Sequence, residues 1–97
     1  MEQKYAELAL SDLVGAGDEV YVLGNGNSRE VQVRLLGKAE VGFGPGERNA
    51  SISVLNGSTV LWKGTMFRTG SGRIELDGGV SSVTVRCEGG EVEFESR

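Results

Sequence analysis

A chain of 97 residues makes one domain, because two cores would each be too small to stand alone. Hydrophobic residues are 38% of it and charged residues 25%, which excludes the composition of a disordered chain. The net charge is −4, and the basic residues, among them Arg29, Arg34, Arg48, Arg68 and Arg73, are scattered between carboxylates rather than gathered on one face, so nucleic acid is excluded as the expected partner.

The first stretch, MEQKYAELALSDLVGAG (residues 1–17), differs from the rest. Ala6, Leu10, Leu13 and Val14 approximate helical spacing, whereas Ala6, Leu8 and Leu10 alternate as in a strand. It reads as an arm, extended or partly helical, whose Gly-Ala-Gly end forms a hinge into a single β domain over 18–97. From Glu19 onward the pattern is strand, turn, strand: EVYVL (19–23), EVQVRLL (30–36), AEVGF (39–43), ASISVL (50–55), TVLWKGTMFR (59–68), IEL (74–76), VSSVTVRC (80–87) and EVEFE (91–95). These are about eight short strands with connections mostly of hairpin length, and sixteen glycines stand against one proline. The expected fold is all-β, an antiparallel β-sandwich or jelly-roll-like small barrel. No segment is long enough for the helix of a parallel crossover.

The stretch SVLNGSTVLW (53–62) predicts a two-residue Asn56-Gly57 hairpin. Val54 then faces Thr59, Ser53 faces Val60, Ile52 faces Leu61 and Ser51 faces Trp62. Ile52, Val54 and Leu61, continuing to Phe67, form the natural core face. Val60, Trp62 and Met66 fall on the other face beside serines, where water alone would not require them. Three covers compete for that stripe: another part of the chain such as the arm, a second protein subunit, or a sugar stacked on Trp62 with Tyr5 or Tyr21.

Chemistry is sparse. The chain has no histidine, which removes the usual general base and most zinc sites. The single cysteine, Cys87, forms no intrachain disulfide and alternates with Val83 and Val85 as a small core residue. Glu75 with Asp77, and Glu88, Glu91, Glu93 and Glu95, alternate as solvated strand faces do, the last group as a charged edge strand. GNGN and GFGPG complete no phosphate-binding motif and read as hairpin loops needing positive φ. The Asn-X-Ser matches at Asn49 and Asn56 read as chance. No signal peptide or membrane span is expected, no cofactor or metal is implied, and no catalytic residue is assigned.

The chain is thus small, histidine-free, nearly cysteine-free and glycine-rich, with the MEQKYAELALSDLVGAG arm ahead of strands from EVYVL onward. In that profile it resembles the small β-rich virion proteins of tailed bacteriophages, notably the capsid decoration or cement type. The resemblance covers the whole chain, rests on no signature motif and carries over no functional residue. It implies a non-catalytic structural protein of the virion, forming homo-oligomers such as trimers on a capsid lattice that it stiffens. Outside a virion the chain is expected in the cytoplasm. The expected interface residues are Tyr5, Leu8 and Leu10 of the arm together with Val60, Trp62 and Met66. The rival reading is a carbohydrate- or receptor-binding β-sandwich module, a tail or adhesion accessory.

Overall fold

A computed structural model describes residues 2–43, 48–54, 59–69 and 73–96, with the side chains of Glu2, Gln3, Phe43, Val54, Thr59, Val60, Trp62, Arg68 and Thr69 outside that description. Among the described residues one helix, α1 (Glu2–Leu23), precedes eight strands: β1 (Ser28–Leu35), β2 (Ala39–Phe43), β3 (Asn49–Val54), β4 (Thr59–Gly64), β5 (Arg68–Thr69), β6 (Arg73–Leu76), β7 (Gly79–Glu88) and β8 (Glu91–Ser96). The strands form two four-stranded sheets, in the orders β1-β7-β8-β5 and β4-β3-β2-β6. Among the described residues the pairings are antiparallel apart from the two-residue parallel pairing of β5 with β8.

The chain is β-rich as the alternation predicts, and of the two alternatives for its first segment the helix is observed, longer than expected at 22 residues and packed against both sheets. The expected boundary between 17 and 18 falls inside α1, and EVYVL is the helix's last turn and a half rather than a strand. The reason is a continuous apolar stripe. Ala6, Ala9, Leu10, Leu13, Gly17 and Val20 recur at helical spacing and are all buried, with Val14 and Ala16 beside them. At about 1.5 Å per residue the helix is about 33 Å long, close to the 35 Å long axis of the molecule. It packs against β1, β7 and β8 of the first sheet and against β3 and β4 of the second. Burying Leu10, Leu13, Val14 and Val20 in this way contributes on the order of 1.5–3 kcal/mol each. Gly15 and Gly17 therefore form no hinge; the helix runs through both.

Gly24 ends it. With φ +98° this glycine takes the left-handed conformation, and its N–H still donates to the Val20 carbonyl at 3.0 Å. The Asn27 side-chain amide closes the end by donating to the Leu23 and Gly24 carbonyls at 3.1 and 3.0 Å. GNGN does carry positive φ, at Gly24 and Gly26, but as a helix-to-strand connection rather than a hairpin.

The expected register of the β3–β4 hairpin is observed: Ser51 opposes Trp62, Ile52 opposes Leu61, Ser53 opposes Val60 and Val54 opposes Thr59. Ile52 is buried and Leu61 packs against the core. Asn56 and Gly57 lie outside the described residues. The segment expected as one strand over 59–68 splits in two, because after Gly64 the chain crosses from the second sheet to the first. Phe67 anchors the crossing, fully buried and edge-on to Phe94 at 6.4 Å between ring centroids. Two-residue Gly89-Gly90 joins β7 to β8, both residues having positive φ as that tight hairpin demands.

Candidate interaction surfaces

Four surfaces follow from this arrangement. The first lies at the C-terminal end of α1. The Asp18 carboxylate accepts the Met66 backbone N–H at 3.0 Å, which ties the crossing between the sheets to the helix. Met66 is 58% exposed there, and one turn beyond Asp18 the helix presents Val22 and Leu23, 70% and 62% exposed. These two residues lie off the buried stripe, and a strand reading of 19–23 hides them. The sequence signal that points to them is their departure from the Ala6–Val20 spacing.

The outer face of the second sheet is polar. Glu75, Glu40 and Ser53 oppose one another across β6, β2 and β3, as do Arg73, Gly42 and Ser51. The Arg73 guanidinium donates to the Glu40 carboxylate at 2.9 Å, and the Ser51 hydroxyl donates to the Gly42 carbonyl at 3.4 Å. By register the positions of Val60 and Trp62 continue these two rows into β4, opposite Ser53 and Ser51. Their side chains lie outside the described residues.

The outer face of the first sheet is charged. Glu91, Glu93 and Glu95 are exposed, and Arg86 donates to Glu95 at 2.7 Å and stands 3.9 Å from Glu88. Exposed pairs of this kind contribute about 0–1 kcal/mol. The glutamates do face solvent, but β8 is not an edge strand: β5 pairs with it at Glu91 and Val92. Among the described residues no group of three or more Cys, Asp or Glu side chains is placed to hold a metal ion.

The fourth surface is the open edge of β1. Among the described residues β1 pairs with β7 alone. Between that edge and the flank of α1 lies a groove of about 500 Å³ bordered by Ser11, Asp12, Gly15 and Glu19 of the helix and Arg29, Glu30, Val31 and Gln32 of the strand. An ion pair between Arg29 and Glu19 spans it.

The expected interface residues whose side chains are described, Tyr5, Leu8, Leu10 and Met66, do not form one face. Leu10 is 3% exposed and belongs to the core, because α1 turns it toward the sheets. Leu8, on the opposite side of the helix, is 53% exposed, and Tyr5 is half-buried. Met66 does not continue the Val60–Trp62 row: it sits in the crossing beyond β4, held by Asp18. Cys87 is buried with Val83 and Val85, its thiol 3.7 Å from the Asn25 side-chain oxygen. No helix among the described residues is long and apolar enough to cross a membrane. No protein-family model, curated protein or solved structure matches this chain.

Proposed function

We propose that this protein is a non-catalytic structural component that works by docking on a larger protein assembly. One observation carries the reading: Met66, Val22 and Leu23 are exposed at one end of α1 while the Asp18 hydrogen bond holds the Met66 backbone in place. Large apolar side chains held out toward solvent on an ordered segment mark interaction sites, and methionine is favoured at protein interfaces. A capsid lattice is the assembly that the profile resemblance implies, with the protein acting as a decoration or cement subunit. The architecture we assign to this role is a β-sandwich whose two sheets share their interior with α1. Contacts of β6 with β8 and of β3 with β5, together with a helix packed on both sheets, support it.

Met66→Asp and Val22→Asp test the reading, because both side chains are exposed and the substitutions leave the core intact. Wild-type protein should co-sediment with purified capsids of the virus that encodes it, and the folded variants should stay in the supernatant. Variants that sediment as the wild type does, or a wild type that binds no capsid, overturn it.

A second reading, binding of a carbohydrate, is favoured by the rows Glu75–Glu40–Ser53 and Arg73–Gly42–Ser51, which gather polar groups on one sheet face. It predicts that glycans change the fluorescence of Trp62, the chain's one tryptophan, and that Glu40→Gln with Arg73→Ala removes the response.

A further inference from the structure

We infer that Asn25 is a latent deamidation site, held unreactive by hydrogen bonds to the β7–β8 end of the first sheet and released when that end opens. The site is independent of the docking reading and needs no partner.

The sequence supplies the reacting pair. Asn25 is followed by Gly26, and a glycine carries no side chain to shield its backbone nitrogen from the preceding carboxamide. Asparagine is among the thermolabile residues. After the Gly26 N–H gives its proton to solvent, the nitrogen bonds to Asn25 Cγ. The Cγ–Nδ2 bond then breaks and Nδ2 leaves as ammonia. Water opens the resulting cyclic imide. Addition at Cγ gives aspartate, whereas addition at the Asn25 main-chain carbonyl gives isoaspartate, whose backbone runs through Cβ and Cγ and is longer by a carbon. The net change turns an amide and a water into a carboxylate and ammonium, with no oxidation or reduction.

In the folded chain both reacting groups are tied to neighbouring backbone. Gly26 donates its N–H to the Cys87 carbonyl at 2.8 Å, and Cys87 donates its own N–H to the Asn27 carbonyl at 2.9 Å. Asn25 Oδ1 accepts the Gly90 N–H at 2.9 Å, and the Cys87 thiol stands 3.7 Å from the same oxygen. The Asn27 N–H, 3.4 Å from the Gly24 carbonyl, closes the turn that carries the pair. An imide nitrogen bears no hydrogen, so the ring cannot form while the Gly26–Cys87 bond stands. Solvent access is not the barrier, because Asn25 and Gly26 are both exposed.

The same bonds fix what opening does. Cys87 and Gly90 belong to one end of the β7–β8 hairpin. Parting that end from residues 24–27 therefore frees the nucleophile and the carboxamide together, a local opening of the kind that sheet ends undergo. Isoaspartate then makes the opening permanent, because the added carbon moves Gly26 and Asn27 out of the register in which they meet Cys87. Aspartate lengthens nothing and keeps an acceptor for the Gly90 N–H.

Peptide mapping by mass spectrometry, after incubation at mildly alkaline pH, reads the conversion at Asn25 and separates it from Asn56-Gly57, the chain's other Asn-Gly pair. A peptide spanning residues 20–30, run in the same buffers, sets the unprotected rate. The full chain in native buffer should convert at Asn25 more slowly than the peptide by about tenfold or more, and unfolding in urea should bring it to the peptide's rate. Urea below the unfolding transition should raise the rate in step with hydrogen exchange at the Gly26 amide. A native rate equal to the peptide's or above it overturns the inference; the Gly90 N–H would then be stabilising the charge that builds on Oδ1 during attack. No conversion in urea, or conversion that ignores Gly26 exchange, overturns it as well. The isoaspartyl protein, separated by reversed-phase chromatography and refolded, should label at Cys87 about tenfold faster than Asn25→Asp, which carries the same charge on a chain of normal length. Circular dichroism checks that both are folded. Equal labelling of the two would overturn the claim that the longer backbone holds the end open, and the rate comparison on the wild type stands without that step.

Discussion

Gly17 of α1 rests directly on the ring of Phe67, so closely that a Cβ built on it would stand 2.6 Å from Cε2 and 2.7 Å from Cζ. The glycine lets the helix approach the point where the chain crosses between the two sheets. Phe67 is fully buried and packs edge-on against Phe94 of β8, so a displaced ring must push on its core neighbours rather than swing out into solvent.

Gly17→Ala should therefore destabilise the fold although alanine is the better helix former. Overpacking a core costs about 1–3 kcal/mol, which outweighs the roughly 1 kcal/mol of helix propensity gained. Gly15→Ala is the control. Its side is open, so only the propensity gain remains and stability should rise by about 0.5–1 kcal/mol. Urea unfolding of the two variants reads the contrast: equal signs for both would show that the helix does not lie on Phe67.

Asp18→Ala removes the acceptor of the Met66 N–H, the bond that ties the crossing to α1. The expected loss is about 1 kcal/mol, with faster hydrogen exchange at the Met66 amide. Asp18→Asn keeps an acceptor oxygen and should retain most of the protection. If Met66 exchanges alike in all three proteins, the Asp18 bond does not hold the crossing, which is then kept by Phe67 and by the Thr65 bonds to the Arg48 and Phe67 carbonyls.

The hairpin register is legible in the sequence because a side-chain period of two and a two-residue turn leave one alignment, and Ser51–Trp62 through Val54–Thr59 follow from it. The helix is only half legible. EVYVL alternates and is β-branched at Val20 and Val22, which is a strand signal on its own. Taken with Leu10, Leu13 and Gly17, Val20 instead completes a helical stripe, and packing against both sheets overrides the local preference. Two glycines within three residues suggest a hinge, because nothing in the sequence says that Phe67, fifty residues later, comes to lie on Gly17. The crossing at Thr65–Phe67 is hidden for a similar reason: TVLWKGTMFR is continuous as a strand pattern, and only tertiary contacts send its end to the other sheet.

Gly24→Ala should cost about 1–2 kcal/mol, the penalty for an L-residue in the left-handed region. There is space for a methyl group, since nothing lies within 4 Å of a Cβ at this position, so the whole effect comes from φ +98°. Gly24→Asn should recover part of the loss, because asparagine tolerates that conformation best among residues with side chains. A melting temperature unchanged by Gly24→Ala would place the helix end elsewhere.

Cys87 offers a readout of how the first sheet opens. The residue is 1% exposed near the C-terminal end of β7, a strand lying between β1 and β8, so a thiol reagent reaches it only after backbone opening. If opening requires global unfolding, labelling in native buffer should be slower than in denaturant by a factor on the order of a thousand or more. Asn25 distinguishes global from local opening. Its side-chain oxygen accepts the Gly90 N–H at 2.9 Å and lies 3.7 Å from the Cys87 sulfur, joining the helix-to-strand connection to the β7–β8 turn. Asn25→Ala frees both loops at once. Labelling that speeds up more than the loss of global stability accounts for means that this end of the sheet opens by itself. Labelling that tracks global stability means that β1, β7 and β8 open as one unit with the helix packed against them.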